Sequence, residues 1–272
     1  MPRTLATALV LALAAFLCSL PSPAPAQPPG LDFCGEKVPL GRPEVAESID
    51  QELLLLSEAR SRVWLTLRRT DRYLPIVEAA LQAAKVPQDF KYLPLAVTNL
   101  SPVYRSGNRR GLWRLTEAEA GALGLSVTKE IDERLDPRAS SLAAAGRLAG
   151  LHGAHKSWTM ALAAFLEPAS LSAAQAAAGG NSDYYSLYVP ESLDKAVSLV
   201  LAGKVLYGDP GAYGYGRTTR WPNLAKNRRQ LAAPADMRAT AESLKLDVRT
   251  FRDMNPHVLG DVAPAGAWLN VP

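Results

Sequence analysis

Few residues in this chain combine the type and the spacing that chemistry needs. His152 and His155 lie three apart in a helical stretch, which puts two side chains on one face. A zinc site needs further ligands close by, and the chain has one other histidine, His257, and two cysteines, Cys18 and Cys34. No metal or other cofactor is therefore expected, and two cysteines exclude a disulfide scaffold. Asp132, Glu133, Arg134 and Asp136 read as an ion-pair and capping cluster ahead of Pro137. Tyr184, Tyr185 and Tyr188 present rings that stack on sugars and pack between helices equally well. Arg105, Arg109 and Arg110 form a basic loop that either meets carboxylates or is simply solvated.

The elements that must position these residues are mostly helical. Val45, Ile49, Leu53 and Leu56 recur at helical spacing from Glu44 onward. Pro75 is expected to open a second helix through Ala84, and Pro87 a third through Tyr92 and Leu95. A polar break follows at Ser101 to Arg110. A short helix is expected over Glu117 to Leu123, a longer one from Pro137, and a buried Ala-rich one over Trp158 to Leu166. Ser182 to Val205 reads as a further amphipathic helical region, with no strand alternation before residue 207. The GDPGAYGYG stretch, Gly208 to Gly216, is the best linker. Beyond it, residues 231 to 272 read as a small strand–helix–helix–strand unit.

The 272 residues are 48% hydrophobic and 21% charged, enough apolar content for a sizeable core and too much for a disordered chain. A formal charge of +4 is too weak to argue for nucleic acid as a partner. Arg3, the apolar run Leu5 to Leu20 and the triplet Ala24-Pro25-Ala26 read as a secretory signal peptide, residues 1–26, cleaved after Ala26. No later stretch is apolar enough to span a bilayer, so the mature chain is expected to be exported to the periplasm or cell envelope. Cleavage leaves Cys34 alone, as a free thiol or an intermolecular link.

Residues 38 to 205 resemble secreted lytic transglycosylases of the goose-lysozyme-like type, the membrane-bound lytic murein transglycosylase D group. The resemblance rests on ordered segments: VPLGRPEV from Val38, DRYLPIVEAAL from Asp71, VPQDFKYLPLAVTNLSP from Val86, GLWRL from Gly111, DERLDPRAS from Asp132 and SWTMALAAFLEP from Ser157. Residues 234 to 272 resemble a LysM-like module, with Pro234-Ala235-Asp236 where such a module usually opens Gly-Asp-Thr. The resemblance implies a mainly α fold: a lysozyme-like helical domain over 44–207, preceded by an extended leader over 27–43. A linker over 208–230 and a small α+β LysM-like module over 231–272 complete it.

It also implies a chemistry. The family uses one carboxyl group, which protonates the glycosidic oxygen and then takes the proton of the muramic acid 6-hydroxyl, forming a 1,6-anhydro ring. Val97 stands at the position of that Glu, 14 residues before Gly111, and valine has no proton to give. Thr98 stands at the following Ser, Arg114 at the usual Gln, and Phe165 and Leu166 at the usual Tyr and Asn. Glu78 sits in a look-alike segment, LPIVEAAL, but 33 residues before Gly111. Glu78 and Glu167 are the substitutes if an acid has been displaced. Thr98, Trp113, Arg114, Phe165, Tyr184 and Tyr185 are the candidate sugar contacts, Trp113 being a core or groove-wall ring.

The expected function is therefore an exported lytic-transglycosylase-like protein, catalytically degenerate, that binds peptidoglycan glycan strands without cleaving them or serves as a scaffold for envelope enzymes. The alternatives are an active lytic transglycosylase with a displaced carboxylate, and a protein–protein adaptor of the envelope. A groove filled by Val97, Phe165 and Leu166 would favour the adaptor.

Overall fold

The computed structural model describes residues 30–181, 183–216 and 218–272. The signal-peptide segment, residues 1–26, lies outside them. Ten α-helices and eight short strands make up the described chain, and the fold is mainly α.

The first feature is a hairpin, β1 (Asp32–Phe33) with β2 (Glu36–Lys37), inside the segment read as an extended leader. Phe33 is fully buried and meets Phe90 edge-on at 5.1 Å. This core anchor folds the segment down. Two long helices follow, α1 (Pro43–Glu58) and α2 (Arg60–Ala83). Pro75 does not open a helix; it lies inside α2. Its ring removes one helical N–H donor, and burial of Val77, Ala80 and Leu81 beyond it holds the last turns in place.

A 3₁₀ turn at Gln88–Lys91 leads into α3 (Tyr92–Thr98), the segment that carries Val97. The helix ends because Asn99 and Leu100 both take left-handed backbone. A small hairpin, β3 (Arg105–Ser106) with β4 (Arg109–Arg110), fills the polar break. Next come α4 (Glu117–Ala122), closed by a Thr116–Glu119 capping box, and α5 (Pro137–His155), capped by the Asp136 carboxylate. Ser157 caps α6 (Trp158–Leu166), every residue of which after Trp158 is buried. The helices α7 (Pro168–Ala177) and α8 (Glu191–Gly208) complete the helical body.

The core gathers α2, α3, α5, α6 and α8 into one buried apolar cluster. Gly203 lets α8 lie against α3, since a Cβ there would sit 2.6 Å from the Ala96 Cβ. Gly111 is more constrained still. Its φ is +77° and a Cβ would fall 1.8 Å from the Arg134 carbonyl oxygen, so only glycine joins the GLWRL turn to the DERLDP segment.

The C-terminal part is a βααβ unit: β5 (Asn227–Gln230), α9 (Met237–Ser243), α10 (Val248–Met254) and β8 (Trp268–Val271). Strands β5 and β8 pair antiparallel, Arg228 opposite Asn270, and a minor pair joins β6 (Ala235–Asp236) to β7 (Val262–Ala263). The first strand thus begins at Asn227, within the span read as linker. Tyr215, also in that span, is buried against Leu53, Leu56, Val63 and Leu206 and donates its hydroxyl to the Ser57 carbonyl.

This unit rests directly on the helical body. Ile131 forms a β-bridge with Val258 and belongs to the apolar core of the C-terminal unit. Asp132 N donates to the His257 carbonyl (2.8 Å), and Leu259 N to the Glu130 carbonyl (2.8 Å). Arg228 on β5 reaches the buried Asp136 carboxylate at 2.5 Å. The acidic residues of the DERLDP segment therefore have three tasks. Asp132 forms a buried fork with Arg134 (2.8 Å), and Asp136 both caps α5 and docks β5.

Candidate functional site

Val97 occupies the last turn of α3 and is 8% exposed. Thr98, next to it, is fully buried. Its Oγ1 lies 3.0 Å from the Leu112 carbonyl and 2.9 Å from the Pro94 carbonyl, so the hydroxyl ties α3 to the Gly111 turn instead of facing a groove. On that turn Trp113 is buried, donates Nε1 to Ser141 Oγ (2.9 Å), and meets Phe165 edge-on with centroids 6.1 Å apart. Trp113 is thus a core ring that pins α5 and α6 together.

Phe165 takes the Arg147 guanidinium over its ring at 4.8 Å. Arg147 pairs with Glu119 (2.9 Å), which also pairs with Arg109 (3.2 Å). Burial alone would raise the Glu119 carboxyl, but the Thr116 N–H and the two guanidinium groups hold it below its ordinary value. Arg109 of the basic loop is therefore spent on structure, and it also donates to the Arg114 carbonyl. Arg110 donates to carbonyls of its own loop. Arg114 has left-handed backbone, and its Nε is buried without a hydrogen-bond partner.

Val97, Trp113, Phe165, Leu166 and Tyr184 all belong to the same buried apolar cluster. Tyr184 is 5% exposed and its hydroxyl has no hydrogen-bond partner. Burial, reinforced by Asp194, Tyr185 and Glu167, raises it well above the ordinary tyrosine value. Tyr185 stands edge-on to it at 5.3 Å, and Tyr188 is 98% exposed.

The two substitute carboxylates are both held by protein partners. Glu78 is on α2 and pairs with Lys91 at 3.0 Å. Glu167 follows α6 directly and accepts from Ser170 Oγ (2.9 Å) and Ser192 Oγ (3.0 Å). His152 stacks on Trp158, 3.7 Å between ring centroids.

These segments have a counterpart among known proteins. Residues 90–169 match the family model described as Transglycosylase SLT domain. That span contains Val97, Thr98, Trp113, Arg114, Phe165 and Glu167. Over 239 residues the chain is 25% identical to the membrane-bound lytic murein transglycosylase D of Escherichia coli (strain K12), covering 86% of this chain and 53% of that protein. The protein of the same name in Escherichia coli O6:H1 (strain CFT073) matches to the same extent. The chain spans about half the length of the curated relatives it matches. The helical architecture around the matched span agrees with a mainly α, lysozyme-like fold. Among the described residues, no helix is long and apolar enough to cross a membrane.

Sequence reasoning missed several residues that hold this region together. Glu36 accepts from Trp158 N (2.6 Å), Thr159 N (3.0 Å) and the hydroxyls of Ser157 and Thr159, capping α6 from the distant hairpin. Only the S-x-T pattern at an apolar helix start hints at a cap, and nothing local points to a carboxylate 121 residues away. The T-x-x-E spacing from Thr116 is the local signal that would have found Glu119 as part of a capping box, while nothing local points to its two arginine partners.

Proposed function

We propose that this chain is an exported, peptidoglycan-binding relative of the lytic transglycosylases that does not cleave glycan. One observation carries the reading. Val97, which the sequence resemblance sets at the family's acid position, is sealed into an apolar cluster with Trp113, Phe165 and Leu166. General acid catalysis needs a titratable proton within hydrogen-bond reach of the glycosidic oxygen. Glu78 is held by Lys91, and Glu167 by two serine hydroxyls. The βααβ order of residues 227–271 supports a LysM-like module, and hence glycan contact by the tail. The signal-like N-terminus supports export and an envelope location for a helical domain and module joined by a short connection.

Intact murein sacculi provide the test. The protein should pellet with sacculi and release no 1,6-anhydro muropeptides. Release of such products overturns the non-cleaving reading and makes Glu167→Gln and Glu78→Gln the next variants to assay.

A second reading has its own support. Because Val97, Phe165 and Leu166 pack inside the core rather than lining an open groove, the helical body would serve as an adaptor for envelope proteins. On that reading the protein neither pellets with sacculi nor releases muropeptides.

A further inference from the structure

We propose that the seam between the helical body and the C-terminal βααβ unit binds a carboxylate-bearing fragment of peptidoglycan. That carboxylate would come from the lactyl group of muramic acid or from its stem peptide. The proposal rests on the peptidoglycan reading above and assigns it a second place on the molecule.

Two adjoining pockets, of about 200 and 230 Å³, lie along this seam and share Arg72, Tyr73, Asp253 and Pro256 as walls. Arg138, at the start of α5, lines the first pocket, and Arg69 with Trp221 lines the second. Among the described residues none of Arg69, Arg72 and Arg138 has a carboxylate within ion-pair distance. Arg109, Arg134, Arg147 and Arg228, in contrast, are each matched to one. Arg69 and Arg72 are three apart on α2 and so share a face. Burial lowers the Arg69 guanidinium from its ordinary value, and the Arg72 charge adds to this. A bound carboxylate would relieve both.

The seam is also prepared for such a ligand. Residues 218–226 cross over α2, with Trp221 N donating to the Arg68 carbonyl (2.7 Å). Arg72 Nε donates to the Pro222 carbonyl (3.1 Å), and its guanidinium lies 5.9 Å from the Tyr73 ring centre and 5.8 Å from that of Trp221. A guanidinium held between two rings has little rotamer freedom left to lose on binding. The two acidic residues at the seam do not cancel this charge. Asp136 is consumed by Arg228 and the α5 cap, which leaves Asp253 alone against three guanidinium groups. Asp253 is placed to accept from an amide or hydroxyl of the same ligand.

Calorimetric titration of the protein, purified as its cells process it, tests the assignment. The probes are a soluble disaccharide–tetrapeptide, the same disaccharide without peptide, the free tetrapeptide, and an N-acetylglucosamine tetramer that has no carboxylate. Arg72→Gln and Arg138→Gln should each weaken disaccharide–tetrapeptide binding by about tenfold, the loss expected for one charge-assisted contact, while leaving tetramer binding unchanged. Among the described residues the exposed Arg138 side chain makes no hydrogen bond or ion pair, so this variant keeps the test valid if Arg72→Gln loosens the crossing segment. Sensitivity of the peptide-free disaccharide to the variants identifies the lactyl carboxylate as the source. Sensitivity of the tetrapeptide-bearing probes alone identifies the stem. Unchanged affinity in both variants overturns the seam site and leaves the peptidoglycan reading standing if the protein still pellets with sacculi. Failure of every probe and of sacculi overturns both.

Discussion

The centre of the helical body and its seam with the C-terminal unit are built on opposite principles. Around Val97 the side chains are mostly apolar and buried, and the polar groups there, Thr98 and the Trp113 indole, are turned inward onto protein partners. At the seam, which α2 joins to the end of α3 through the Arg69 bond to the Asn99 carbonyl (2.9 Å), charged side chains line open pockets, and among the described residues three guanidinium groups have no carboxylate partner. The contrast teaches that the centre of a helical body and its border with a second unit are shaped by different demands, packing in the one and polar exposure in the other. Groups available for recognition then concentrate where two bodies meet, because such seams cannot be filled by one core.

The largest effect should come from the frame of the sealed centre. Gly111→Ala places a methyl group against the Arg134 carbonyl at a positive φ, with backbone on both sides unable to yield. A loss of at least about 3 kcal/mol is expected from the mechanism of backbone strain plus a clash, read as a shift of the urea midpoint. A near-neutral result would mean that the turn under Trp113 is loose, which breaks the contrast. Phe165→Ala should come next, with a loss of about 3–4 kcal/mol, since it removes the partner of both Trp113 and Arg147. If Phe165 instead lines a water-filled groove, the same substitution would cost well under half of that.

The seam has its own test. Asp136→Asn leaves Arg228 facing a neutral amide in a buried setting and weakens the α5 cap, for a loss of about 2–3 kcal/mol. The loss should be local. Limited proteolysis should cut residues 208–226 faster in the variant while the helical body remains protected. Equal loss of protection everywhere would show that seam and centre unfold as one unit, and the two-region comparison would fail.

Much of the helical frame was legible because its signals are local. Pro137 announces α5, the Ala-rich stretch Glu117 to Leu123 announces α4, and the apolar run from Trp158 announces α6. The DERLDP charges read correctly as structural because opposite charges that close in sequence satisfy one another first. What was not legible depended on distant partners. Pro75 looked like a helix start, yet burial on both sides carries α2 through it. Residues 32–37 looked like a leader because Pro and Gly surround them, while Phe33 is anchored by Phe90 far along the chain. The same holds at the site. The resemblance singled out Val97 in the sequence, but its burial with Phe165 and Leu166 is a tertiary fact. Nothing in the sequence marks Arg69 and Arg72, whose face of α2 becomes a pocket wall only where residues 218–226 cross it.

The smallest effect is a pH dependence that belongs to the helical body and not to the seam. Burial opposes ionisation of Glu36, yet the Thr159 and Trp158 N–H groups and the Thr159 and Ser157 hydroxyls together hold its carboxyl below the ordinary value of 4.5. A carboxyl whose folded value is depressed contributes stability that is present above its unfolded value and lost as pH falls through its folded value. The wild type should therefore lose stability below about pH 4.5 more steeply than Glu36→Gln, which lacks the titrating group, while the variant is the less stable of the two at neutral pH. Thermal melts of both proteins between about pH 3 and 7 would measure this. The difference should track protection of α6, whose N-terminus Glu36 caps, and not cleavage at residues 208–226. Parallel curves for the two proteins would remove Glu36 from the set of groups that hold the sealed centre closed.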